Sequence, residues 1–176
     1  PEKTMAINEG RSYVVDVPHT VIAELVQSGR LHATTEYAAL AEADAVCICV
    51  PTPLSKNQDP DISFIMEAVE RIKDYLRPGL LVVLESTTYP GTTEDLVLPR
   101  LEETGLKAGK DFYLAFSPER VDPGNRAYGI RNTPKIIGGV TPACSEKALD
   151  LYRHAVDTLL PVSNARTAET IKLLEN

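Results

Sequence analysis

Unbroken apolar runs, separated by amphipathic stretches, constrain this chain more than any other feature. Ala45–Val50 (AVCICV) stops at Pro51, and Leu80–Leu84 (LLVVL) follows the Pro78-Gly79 turn. A short run with no polar alternation is the pattern of a strand covered on both faces, as in parallel sheets flanked by helices. Asp111–Phe116, Lys135–Gly139 and Leu159–Val162 read as further strands, and His32–Thr34 as a short one. Helical patterns lie between them. Val17–Gln27 has one apolar face and Gly29 just past its end, and Glu36–Glu42 is a short helix. Behind Asp61, a candidate cap, Ile62, Ile65, Met66, Val69 and Ile72 recur at helical spacing. Gly91 and Thr92 open another helix, with Thr92 and Asp95 in capping-box spacing. Thr141 caps a helix with Pro142 at its first position, and Ala165–Asn176 begins the last. Pro51–Pro60 and residues 121–134 read as loops. This alternation predicts an α/β fold: a Rossmann-like, mostly parallel sheet with helices on both faces.

Bulk properties narrow the function. With 43% hydrophobic and 24% charged residues, the 176-residue chain has enough core for a globular domain. A net charge of −7 offers no general attraction to nucleic acid or anionic lipid. No apolar stretch reaches bilayer-spanning length, so no membrane partner is expected. Three cysteines do not make a disulfide framework, which points to a reducing cytoplasm. Cys47 and Cys49 are two apart, so they face one side of a strand expected to be buried, while Cys144 is expected to pack within a helix. No second Cys/His pair stands at a spacing that would complete a metal site, and His19, His32 and His154 read as structural or surface residues.

In parallel α/β sheets ligands bind beyond the carboxyl ends of the strands, so three segments carry the functional argument. Pro51-Thr52-Pro53-Leu54 makes a rigid wall with one hydroxyl, suited to a flat ring or a ribose; it would equally serve as a stiff loop without a ligand. Ser86, Thr87, Thr88, Thr92 and Thr93 crowd a strand-to-helix turn. The helix start there offers N–H groups to a phosphate or carboxylate, and the hydroxyls could position a water, although serine and threonine also cap helices without any ligand. Ser117-Pro118-Glu119-Arg120 sets an acid and a base at a strand end. Glu119 fits a general base and Arg120 a phosphate clamp, or the two fit a surface ion pair. Lys172 and Asn176 share a helix face, where they could donate to an oxyanion or simply meet solvent.

Read in order, CVPTPL (Cys49–Leu54), Pro60-Asp61 with Ser63, ESTTYPGTTE (Glu85–Glu94), SPERVDPG (Ser117–Gly124), IIGG-TP (Ile136–Pro142) and AET-KLLEN (Ala168–Asn176) resemble the UDP-glucose/GDP-mannose dehydrogenase family over nearly the whole chain. The CVPTPL and SPER forms are most similar to the bacterial branch acting on UDP-N-acetylglucosamine in surface-polysaccharide synthesis. The resemblance implies oxidation of a sugar C6 alcohol to the carboxylate, with two NAD reduced and a thioester formed on a cysteine. It implies that Thr52, Pro53, Ser86 and Thr87 line the NAD site and that Thr87 also helps position the catalytic water. Glu119 would act in acid–base steps and, with Arg120, lie along the UDP-sugar. Lys172 and Asn176 would contact the substrate and stabilise the oxyanion.

Two departures shape the expectation. The family's GxGxxG turn does not occur here, and Asn8 and Gly10 resemble the stretch after its second strand. The expected division is therefore a partial NAD-binding domain over residues 1–163, lacking the first βαβ phosphate-binding segment, and the start of an interdomain helix over 164–176. None of Cys47, Cys49 and Cys144 matches the motif of the nucleophile, so these residues alone are expected to give no turnover, and the parent is expected to be a homodimer or higher homo-oligomer. A non-catalytic nucleotide-binding or interaction module of the same fold is the alternative. A 3-hydroxyacid-type dehydrogenase is disfavoured by Lys172 and Asn176 within AET-KLLEN.

Overall fold

A computed structural model describes residues 1–14, 16–53, 60–120, 129 and 131–175. Among them are strands β1 (Ala45–Ile48), β2 (Leu81–Leu84), β3 (Tyr113–Phe116), β4 (Lys135–Gly139) and β5 (Leu159–Pro161). The helices are α1 (Glu2–Asn8), α2 (His19–Gln27), α3 (Ser63–Lys73), α4 (Leu98–Glu102), α5 (Pro142–Tyr152) and α6 (Ala165–Glu175). The strands form one sheet in the order β1-β2-β3-β4-β5. The first three are parallel, β4 runs antiparallel to β3, and β5 is parallel to β4. The expected α/β architecture is present, with one reversal inside it.

Side-chain alternation along the strands builds two cores, since successive residues point to opposite faces. Val82, Leu84, Leu114, Phe116 and Ile136 meet Ile65 and Val69 of α3, Leu101 of α4, and Ala165 and Ala168 of α6. Leu81, Val83, Ala115 and Ile137 meet Ala148 and Tyr152 of α5 on the other face. Both β2 and β4 are buried throughout. In β4, Gly138 and Gly139 have no room for a Cβ: it would strike the backbone at Asn164 on one face and at Ser145 on the other. Helices α5 and α6 therefore approach the strand backbone directly.

Several local expectations hold. Thr141 Oγ1 accepts from Cys144 N at 3.2 Å, with Pro142 in the first turn of α5. Asp61 is not itself the cap of α3, which is Ile62, but its Oδ1 accepts from Ser63 N at 2.9 Å at the helix start. Gly29, at φ 71°, follows α2, and the expected short helix at Glu36–Glu42 is a 3-10 helix over Tyr37–Glu42. Cys144 is buried.

Three expectations are corrected. No strand forms at His32–Thr34: the Asn8 side-chain amide donates to Ala33 O at 2.8 Å and accepts from Ala33 N at 2.9 Å, standing in for a partner strand. β1 is not covered on both faces. Among the described residues it pairs with β2 alone, and Cys47 and Cys49 are exposed. The capping box at Thr92 and Asp95 does not form either. Thr92–Val97 winds as a π-helix behind Gly91, which sits at φ 100°, and its first N–H groups are satisfied from another element. Residues 54–59 and most of 121–134, both read as loop, lie outside the described residues, as does Asn176.

Candidate active site

Ile48, Leu84 and Phe116 stand in register across β1, β2 and β3. The segments that leave these strands therefore emerge side by side, and they are the three singled out in the sequence. Val50, Pro51, Thr52, Ser86, Thr87 and Glu119 line one open cleft. Its neighbour is lined by Arg120, Pro134, Lys135 and Tyr152, and Glu85 and Glu119 belong to both.

Ser86 is buried, and its hydroxyl is committed to the backbone. It accepts from Val50 N at 2.8 Å and stands 2.9 Å from Val50 O and 3.2 Å from Ile48 O, either of which takes its single proton. The wall at Pro51-Thr52 is thus held from β2 as well as by its prolines. Thr52 and Thr87 are half-buried in the cleft. Pro53 is exposed, and its carbonyl accepts from Asp61 N at 2.8 Å.

The helix start expected to receive a phosphate or carboxylate already holds one from the chain itself. Glu169 of α6 is 0% exposed. Its carboxylate accepts from Gly91 N at 2.6 Å, Thr93 N at 2.9 Å and Thr93 Oγ1 at 2.6 Å. Burial pushes its pKa up, and the Thr93 and Gly91 donors oppose that shift. This contact fixes α6 against the turn that carries Thr87. No role for Glu169 came from the sequence, yet a signal exists: it is an acid on a face shared with Ala165 and Ala168.

Glu119 is exposed at the cleft mouth. Its Oε1 accepts from Arg120 N at 2.7 Å, and Lys172 Nζ of α6 donates to its backbone carbonyl at 2.7 Å. Two of the sequence candidates, one from the β3 end and one from α6, are brought together in this way. The Arg120 guanidinium does not pair with Glu119. It donates from Nε to Glu175 of α6 at 3.1 Å and from Nη1 to Pro134 O at 2.8 Å.

Charges missed in the sequence lie behind Glu119. Lys135, buried at the start of β4, stands 3.5 Å from Glu85 Oε1 and 3.7 Å from Glu119 Oε2. Tyr152 donates a short hydrogen bond to Glu85 Oε1. Burial, followed by the Glu85 charge, pushes the Tyr152 phenol upward, so it remains a donor. The cysteines turn toward this cluster: Cys49 Sγ lies 3.7 Å from Glu85 Oε2, and Cys47 Sγ 3.8 Å from the Tyr152 hydroxyl. Burial and Glu85 push the Cys49 thiol up to about 12 and raise that of Cys47. Neither is a thiolate near neutral pH, and Cys144 is buried, its sulfur accepting from Leu114 N at 3.3 Å. None has the environment of an activated nucleophile. Among the described residues no group of acids, histidines and cysteines could hold a metal ion, and no helix is long and apolar enough to cross a membrane.

The chain is similar in sequence and fold to known proteins. The chain is 37% identical to the UDP-N-acetyl-D-mannosamine dehydrogenase of Pyrococcus horikoshii, over 97% of its own length and 41% of that protein. It is 34% identical to the UDP-N-acetyl-D-glucosamine 6-dehydrogenase of Pseudomonas aeruginosa, over 88% of the chain and 37% of that protein. It superposes with a TM-score of 0.90 on the crystal structure of an NDP-N-acetyl-D-galactosaminuronic acid dehydrogenase from Methanosarcina mazei, at 36% identity, covering 99% of this chain and 38% of that one. The chain thus spans well under half the length of these relatives. Residues 1–156 match the profile of the UDP-glucose/GDP-mannose dehydrogenase family, NAD binding domain, and the chain belongs to that family.

Proposed function

We propose that this chain is the cofactor-side portion of an NAD-dependent UDP-sugar 6-dehydrogenase that oxidises the C6 alcohol to the carboxylate for surface-polysaccharide synthesis. The observation that carries this reading is the convergence of Thr52, Thr87, Glu119 and Lys172 at one end of the sheet, with Lys172 anchored on the Glu119 carbonyl at 2.7 Å. The cleft suits part of NAD: a stiff wall at Val50-Pro51-Thr52, with hydroxyls on its rim and, among the described residues, Glu85 and Glu119 as its charged side chains. NAD, when bound, accepts the hydride.

The residues divide the remaining work. Thr52 and Pro53 line the cofactor, and Ser86 holds their wall in place. Thr87 orients a water for hydrolysis of the thioester, whose cysteine is none of Cys47, Cys49 and Cys144. Glu119 takes the proton that this water gives up. Lys172, with Asn176 four residues later in the sequence, donates to the oxyanion, and Arg120 lies along the nucleotide-sugar. Residues 1–163 are the NAD-binding portion, and 164–176 begin the helix leading to the rest of the enzyme. Leu173 and Leu174 are exposed on that helix, as suits a segment covered in a homodimer or larger homo-oligomer. Three free cysteines fit the reducing cytoplasm.

An N-acetylated UDP-hexose is the substrate class, supported by the activities for which the relatives are named. The CVPTPL and SPER forms favour UDP-N-acetylglucosamine over UDP-N-acetylmannosamine. A substrate panel on the full-length protein tests both levels. The expected result is two NADH per UDP-N-acetylglucosamine consumed, and none from the 176 residues alone. Oxidation of UDP-glucose alone would overturn the branch. No NADH from any UDP-sugar would overturn the function.

A further inference from the structure

Lys135 has a placement that none of the roles above uses. Its side chain is 8% exposed, and its ammonium faces two carboxylates, Glu85 Oε1 at 3.5 Å and Glu119 Oε2 at 3.7 Å. The Tyr152 ring lies beneath it, 4.9 Å from Nζ to the ring centre. The antiparallel pairing that matches Ala115 with Gly139 and Phe116 with Gly138, carried three residues further, sets Lys135 opposite Glu119. A buried ammonium is tolerated only where carboxylates and a π-face replace its water, and all are present here.

Among the described residues, the surrounding groups come from several elements. Glu85 ends β2, and Tyr152 of α5 holds it by a hydrogen bond. Cys47 and Cys49 of β1 contact Tyr152 and Glu85 as neutral thiols. From α6, Glu175 engages Arg120 and Lys172 engages the Glu119 backbone. Lys135 is therefore the cation shared by Glu85 and Glu119.

We infer that Lys135 is a positioning residue: it holds the Glu119 carboxylate at the mouth of the cleft and, through Glu85 and Tyr152, anchors it to the sheet and α5. This rests on the proton-transfer role of Glu119 proposed above. With Oε1 on the Arg120 N–H and Oε2 toward Lys135, the carboxylate has a defined orientation. Without Lys135, Glu119 loses the contact that orients Oε2, and Glu85 loses the same cation.

The test compares full-length wild type, Lys135→Met, Lys135→Arg and the double variant Lys135→Met/Glu85→Gln. Lys135→Met is expected to lower kcat at neutral pH about tenfold and to leave KM for NAD and UDP-sugar within about threefold. Lys135→Arg restores most of kcat, and Glu85→Gln in the Met background recovers part of it. The carbon-13 signal of the Glu119 carboxyl in the 176-residue chain reads the same contact without turnover, and its chemical shift should change in Lys135→Met. An unchanged kcat and an unchanged Glu119 signal in a folded Lys135→Met would overturn the inference. So would an arginine variant no better than methionine. An inactive wild type would instead overturn the proposed function, and the Glu119 signal would still decide the role of Lys135.

Discussion

Two carboxylate arrangements sit at the same end of the sheet and work differently. Glu169 is sealed between α6 and the turn after β2, with three short-range donors and no exposure. Glu85 and Glu119 meet a shared cation at longer range, and Glu119 keeps 49% of its side chain open. The first arrangement is acceptor-saturated and geometrically closed, so it fixes backbone. The second is electrostatic and open on one side, so it leaves a carboxylate able to meet a ligand. Scaffold and reactive edge lie next to each other, and Thr87 and Lys172 sit where they join.

The sharpest way to break this contrast is to remove the sealed acid. Glu169→Ala strands buried N–H donors at Gly91 and Thr93, and should lower the unfolding free energy by about 4 kcal/mol in urea denaturation. A loss below about 1 kcal/mol would mean the turn does not depend on Glu169. Ser86→Ala comes next. It removes an acceptor from Val50 N and a donor to the exit of β1, at about 2 kcal/mol. Proteolysis near Pro51 should also become faster, and unchanged cleavage would count against Ser86 as the clamp on that wall.

On the open side the effects on stability shrink. Arg120 and Glu175 form a half-exposed pair, so Arg120→Ala should cost about 1 kcal/mol or less. If it instead unfolds the chain, the two regions are alike and the comparison fails. The smallest effect is chemical. With its pKa raised to about 12 by burial and Glu85, Cys49 stays a neutral thiol from pH 7 to 9 and becomes reactive only as pH climbs toward that value. Iodoacetamide should therefore label it far more slowly at pH 8 than a free cysteine, whose pKa is about 8.5. Labelling at the free-cysteine rate would show that Glu85 does not face the sulfur.

Much of the fold was legible because its signals are local. LLVVL needs cover on both faces, Thr141-Pro142 starts a helix by capping and ring geometry, and Asp61 can reach the next turn without help from elsewhere. The misreadings share a cause. His32–Thr34 lacks a strand because a side chain 25 residues away fills its hydrogen bonds. AVCICV reads as covered on both faces, but which faces are covered depends on neighbours in space, and among the described residues only β2 pairs with it.

The site divides the same way. Residue types at strand ends pointed to Thr52, Thr87, Glu119 and Lys172, because parallel sheets present ligands there. Lys135 stayed hidden because a strand's first residue belongs to the opposite end in a parallel sheet. The reversal of β4 against β3 brings it to the ligand end. By itself, the sequence determined the alternation of elements, the caps and the chemistry available at each turn, since these depend on residues a few positions apart. Tertiary structure alone decided which strand reverses, which carboxylate closes the helix start and which lysine faces Glu119, because each depends on elements meeting across long separations in the chain.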